Sequence, residues 1–316
     1  MSKKLTEKSK ENYEKILDDP NYLSKFKIIK SIVSPNIETL KKMVPVIPKY
    51  NYSLFPASIE DFDLSLVPEL KDNPNLIKYF QGYKLNNLKV FYSSDKNQKI
   101  PEIYLQIIAF FDKNRNKTGK IYIYDYHSPR AINLKYGFDV TSGLTYRDIV
   151  VVSRTEETVR LLIHELIHFY EIITPADSLY DTHNYCNVSP ADSFFEAKTE
   201  ALAIIYNILF FEPIKFEKLL IDELLFSVYQ ASKILEIAGF NSYQSFISGC
   251  SKPMNFKIPY FSYLFLRSIF LFNLKDFLKN PNKPNSEVSP YLIEILNDYI
   301  KMKKNDYMGY NLIDYK

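Results

Sequence analysis

The 316-residue chain has no tryptophan, only two cysteines and only four histidines. Two cysteines, Cys186 and Cys250, cannot build a disulfide framework or a thiolate zinc site. No basic segment followed by an apolar stretch opens the chain, so no secretory signal is expected. The sequons at Asn51, Asn116 and Asn187 therefore carry no weight. Long hydrophobic runs are missing too. The most apolar window, 258–274, is short of a membrane span and contains Arg267, which favours a buried helix. Nor is there a basic stripe: 40 Lys and Arg are spread among 37 Asp and Glu, for a formal net charge of +3 at pH 7. A nucleic-acid binder is not expected from such a distribution. The basic clusters near Lys3–Lys10 and Lys301–Lys304 lie close to chain ends and read as solvated tails. Together these absences point to a reducing, cytosol-like compartment, with neither membrane nor nucleic acid as partner.

What the chain does have is core material. It carries 26 Tyr and 23 Phe, and hydrophobic residues make up 46% of it, enough for one large domain or two small ones. Residues 1–30 read as a polar helical arm. Six prolines between 35 and 74 break the following stretch into short pieces. Strands are expected at 87–93 and 120–126, and a buried β-branched strand at 148–152. Between the first two, Pro101 opens an apolar helix. Ser153 with Glu156 resembles a capping box that starts a helix over 154–172, apolar on nearly every face and therefore buried. Ser189-Pro190-Ala191-Asp192 starts another, running to about Phe211. Further helices are expected near 215–238, 242–249, 258–279 and 290–303. The expected class is α+β, with a small mixed sheet and an all-helical C-terminal half. The divisions fall at 1–80 (N-terminal arm), 81–175 (α/β half) and 176–316 (helical half).

The buried helix carries His164-Glu165-Leu166-Ile167-His168. Positions i and i+4 of an α-helix lie one turn apart on one face, so both imidazoles can reach one ion at about 2.0–2.1 Å. Glu165, next to the first histidine, can reach a water at that ion and take its proton as general base. The plain alternative is two core histidines, each satisfied by a carbonyl. Burying two imidazoles and a carboxylate without a metal would cost several kcal/mol in desolvation, which favours zinc. A catalytic zinc needs a third protein ligand and an open position. A continuation with glycine and a third histidine is ruled out, because Glu171 and Thr174 occupy those places. The helix that follows offers Glu196 and Glu200, again at i and i+4, among Phe194, Phe195, Ala197, Ala201 and Ile204.

This combination resembles the gluzincin metallopeptidases, among them thermolysin, the anthrax lethal factor and the clostridial neurotoxins. The resemblance covers roughly residues 100–211 and implies a zincin-like core. It implies that Glu196 is the third zinc ligand and that Glu200 holds the other nitrogen of a zinc-binding histidine, His164; the reverse assignment is the alternative. Such a contact would fix the tautomer of the histidine and raise its basicity. The resemblance also implies an edge strand that pairs with an extended peptide substrate, for which VTSGLTY (140–146) is the candidate. A downstream tyrosine would act as oxyanion donor. Tyr263 is the candidate, near Tyr260 and Arg267, whose guanidinium needs a carboxylate partner; core tyrosines and a structural ion pair are the bland reading. His183 could flank the cleft or be a plain loop residue, and His127 reads as structural. The chain lacks the Gly-x-Met-Glu-Asn segment of the aminopeptidase branch, so an endopeptidase acting on a peptide or protein is expected. The competing hypothesis is a catalytically silent relative whose Tyr/Phe-rich helical half is a docking surface.

Overall fold

The computed structural model describes residues 7–63, 74–94, 99–125, 143–153, 157–174, 193–248 and 261–302. Helices α1 (Glu7–Leu17), α2 (Tyr22–Val33) and α3 (Ile37–Lys42) come first. Strands β1 (Tyr52–Pro56), β2 (Gln81–Leu85) and β3 (Leu88–Ser94) follow, then helix α4 (Glu102–Asp112). Next are β4 (Gly119–Asp125), β5 (Gly143–Tyr146), β6 (Ile149–Val152) and α5 (Thr158–Phe169). The rest of the described chain is helical: α6 (Phe194–Phe211), α7 (Phe216–Ile237), α8 (Tyr243–Ser248), a π-helical turn (Ser262–Leu266), α9 (Arg267–Phe272), α10 (Leu274–Lys279) and α11 (Pro290–Ile300). The class is α+β. The chain divides into two compact units: Pro45–Arg130 with Val140–Ile172, and Met1–Val44 with Ala131–Asp139 and Ile173–Lys316. No helix among the described residues is long and apolar enough to cross a membrane.

The first of these units holds a mixed sheet of six strands among the described residues, in the order β1-β2-β3-β4-β6-β5. The strands β3, β4 and β6 are parallel, whereas β1, β2 and β5 are antiparallel to their neighbours. Parallel strands covered on both faces read as unbroken apolar runs, and here Ile121 to Tyr124 and Val150 to Val152 are all buried. One face carries an aromatic cluster of Phe62, Phe80, Phe91, Tyr122 and Tyr124. Phe62 and Phe91 both stack on Tyr122, with centroids 5.0 and 5.2 Å away. Helix α5 packs against β5 and β6, and α4 packs against α5.

The segment that brings Phe62 to the sheet is pinned through Asp61. Lys120 Nζ and Tyr122 Oη both donate to its carbonyl at 2.6 Å, and Lys89 Nζ donates to its carboxylate at 2.8 Å. Partial burial of the Asp61 carboxyl works toward a higher pKa. The hydrogen bonds from Lys89 and Ser58 outweigh it and leave the pKa below the ordinary value. A carboxylate whose pKa is depressed on folding adds stability above its unfolded pKa, about 4, and loses it as pH falls through the folded value. The stability difference between the parent and Asp61→Asn, read from urea midpoints, should therefore shrink as pH falls below about 4. A difference constant from pH 6 to 2 would refute this.

In the helical unit, α7 is the hub, contacting α1, α2, α6 and α11. Residues 7–33 thus carry helices, as expected, and these pack against α7. At the turn around Pro20, Lys25 Nζ donates to Asp19 at 2.6 Å, and both side chains are buried. The Lys25 ammonium also lies 4.4 Å from the centre of the Tyr299 ring. The helix expected over 258–279 is interrupted. After the π turn it breaks at Asn273, whose side-chain amide is drawn to the carbonyl of Glu287 at 2.8 Å. Pro101 stands at the N-cap of α4, one position before the expected one.

Candidate functional site

Helix α5 spans Thr158–Phe169, shorter than the 154–172 expected. Glu157, at φ 59°, is left-handed and cannot extend the helix backward; it is the N-cap in place of Ser153. Residues 154–156, including Glu156, lie outside the described residues. At the other end Glu171 is left-handed at φ 52°. The amide of Glu171 bonds the carbonyl of His168 at 2.9 Å, and that of Ile172 bonds Ile167 at 3.0 Å. This is a Schellman ending without the usual glycine, and Lys117 Nζ also donates to the Phe169 carbonyl.

His164 is buried and His168 half-buried on this helix. Their Nε2 atoms are 3.0 Å apart. Two nitrogens held by one tetrahedral ion at about 2.0–2.1 Å would stand about 3.3 Å apart, so a small adjustment fits the pair to a shared cation. His168 also lies in the last helical turn.

Glu165, buried between them in sequence, turns toward the edge strand β5. Thr145 Oγ1 lies 2.7 Å from Glu165 Oε2 and 3.0 Å from the Glu165 carbonyl oxygen. A Cβ added to Gly143 would lie 2.4 Å from Glu165 Oε1. Gly143 and Thr145 escaped the sequence reading as partners of Glu165. The only signal available was the small-residue run Thr141-Ser142-Gly143 inside an expected strand, which can mark a close approach. Of that candidate strand, 140–146, the portion Gly143–Tyr146 is observed and, among the described residues, forms one edge of the sheet.

The helical unit arranges the two glutamates of α6. Ser193, in extended conformation, caps this helix by accepting the amide of Glu196 at 3.2 Å. The expected start at Ser189 and Pro190 lies outside the described residues; the extended backbone at Ser193 places the observed start at Phe194. The amide of Ser193 in turn donates to Ser262 Oγ at 2.8 Å, at the head of the π turn. Tyr263, within that turn, brings its hydroxyl to 3.4 Å from Glu196 Oε2. A π turn is a frequent device for re-aiming side chains at functional positions.

One turn further along both elements, Arg267 Nη1 donates to Glu200 Oε1 at 2.8 Å, and Nη2 donates to Ser227 Oγ at 2.8 Å. Arg267 and Glu200 are both fully buried. The carboxylate partner that the sequence demanded for Arg267 is therefore Glu200, and Glu200 commits one oxygen to that pair. His164 and His168 belong to the unit that holds the sheet, and Glu196 to the helical one. His127, Cys186, His183, Cys250 and Tyr260 lie outside the described residues.

No protein-family model matches the chain, and no solved structure does. The chain is similar to an uncharacterised protein of Acanthamoeba polyphaga mimivirus, with 29% identity over 204 residues. The match covers 55% of this chain and 53% of that protein, so the chain spans about half the length of its curated relative.

Proposed function

We propose that this chain is a zinc-dependent peptidase with a zincin-like core, most simply an endopeptidase acting on extended peptide. The observation that carries the reading is the His164–His168 pair, two imidazole nitrogens 3.0 Å apart on a buried helix that also bears Glu165. In this reading His164 and His168 hold the zinc and the resemblance supplies Glu196 as third ligand, a nitrogen–nitrogen–oxygen donor set suited to that ion. When bound, zinc supplies a Lewis acid and makes a coordinated water easier to deprotonate.

The chain's own residues do the rest. Glu165 removes the proton from the attacking water and returns it to the departing amine. Tyr263, beside Glu196, donates to the oxyanion. In this reading β5, which ends the strand order among the described residues, takes an extended peptide as a further strand. Glu200, neutralised by Arg267, keeps α6 in register with the tyrosine-bearing turn.

The test is elemental analysis of the purified full chain together with digestion of a broad peptide library. One zinc per chain, and cleavage abolished by a chelator and restored by zinc, are expected. Glu196→Ala should weaken zinc binding more than about a hundredfold, beyond the 10–100-fold typical of losing an outer partner of a ligand. A chain that retains no zinc, or that cleaves equally well with chelator, would sink the proposal.

A further inference from the structure

The register of β5 runs against hydrophobic burial. Its exposed positions are Leu144 (39%) and Tyr146 (48%), while Gly143 and Thr145 take the half-buried places. A one-residue slip would exchange the two sets. Burying a large apolar side chain is favourable, so hydrophobicity favours the slipped register, and something specific must favour the observed one. What the observed register provides is contact with Glu165. The Thr145 hydroxyl faces Oε2 and the Glu165 carbonyl oxygen, and the bare Cα of Gly143 faces Oε1. Even alanine at 143 would put a carbon 2.4 Å from that oxygen, well inside contact distance.

We infer that Thr145 and Gly143 are positioning residues for Glu165, so that the strand offered to the substrate also sets the aim of the general base. This rests on the zinc-peptidase reading. Thr145 fixes one carboxylate oxygen through a charge-assisted hydrogen bond. Gly143 gives the other oxygen room, and the short antiparallel pairing with β6, from Gly143 opposite Val152 to Tyr146 opposite Ile149, holds both residues in place. The coupling is economical in structural terms: a peptide backbone docked along β5 lies at a distance from Glu165 set by the strand that binds it. Misplacing a reacting group by about 1 Å can cost about a hundredfold in rate.

The experiment compares the zinc-loaded parent with Thr145→Val, Thr145→Ser and Gly143→Ala, using a quenched fluorogenic casein as substrate and crystal structures of the parent and the Val and Ala variants. Valine keeps the branched shape and the strand propensity but loses the hydroxyl. Its kcat should fall about ten- to a hundredfold, with KM within about twofold, zinc content unchanged and the Glu165 carboxylate turned away from residue 145. Serine should restore most of kcat. In Gly143→Ala the carboxylate should be displaced. Parental kcat in Thr145→Val, a carboxylate unmoved in both structures, or equal loss in kcat and KM with no recovery by serine would each overturn the inference. A parent that binds zinc but cleaves nothing refutes the peptidase reading instead, and the crystal structures then still decide whether Thr145 and Gly143 hold Glu165.

Discussion

Glu165→Gln should retain zinc and lose turnover by about 10²–10⁴-fold, the usual contribution of a positioned general base. Glutamine has nearly the same shape as glutamate, and its amide oxygen can still accept from the Thr145 hydroxyl that now lies 2.7 Å from Oε2. The tight approach of Oε1 to Gly143 is also compatible with an amide. What the amide cannot do is take a proton, so the loss should fall on kcat. His168→Ala provides the contrast. It removes one of the two imidazole nitrogens that face each other at 3.0 Å, so zinc and turnover should disappear together. Steady-state kinetics on casein, with metal content measured on the same samples, separates the two outcomes. A glutamine variant that cleaves as fast as the parent would remove Glu165 from the mechanism.

The second large effect concerns folding. Arg267→Met should destabilise the chain by about 3–5 kcal/mol, the cost of stranding one member of a buried ion pair. Glu200 is 0% exposed and Arg267 is 0% exposed, so water cannot replace the lost guanidinium. Ser227 loses its donor as well. Typical domain stabilities are about 5–15 kcal/mol, so the change should be obvious in a urea titration. The double variant Arg267→Met with Glu200→Leu should recover most of the loss, because apolar groups of similar volume can replace a buried pair at little net cost. If the double variant proves less stable than Arg267→Met alone, the stranded charge is not the cause. The double variant also isolates the register role of the pair: if the pair aligns Tyr263 with Glu196, it should fold yet turn over more slowly than the parent.

The parts of the molecule legible in the residues are those governed by local periodicity. The alternation of β4 and the unbroken β-branched run of β6 announce strands, the second because a parallel strand covered on both faces shows no alternation. The HELIH helix is legible for a similar reason: its 3.6-residue repeat brings His164 and His168 to one side whatever the rest of the chain does. Capping was less legible. Glu171 ends α5 in a left-handed conformation that a glutamate adopts only when the surroundings hold it there, so nothing in its identity marks the stop. Ser193 caps α6, and its own amide donates to Ser262, 69 residues away, a contact that no local pattern announces.

The residues alone therefore determined β3, β4 and β6, the principal helices and the imidazole pair with its neighbouring carboxylate, since each follows from spacing along a single element, whereas β1 and β2 were not announced. Tertiary structure decided what those groups meet: Thr145 and Gly143 at Glu165, Tyr263 at Glu196, and Arg267 at Glu200. Such contacts join positions 20 to 67 residues apart. They depend on strand register and on a π turn, whose energies are settled by packing across elements and leave little trace in local composition.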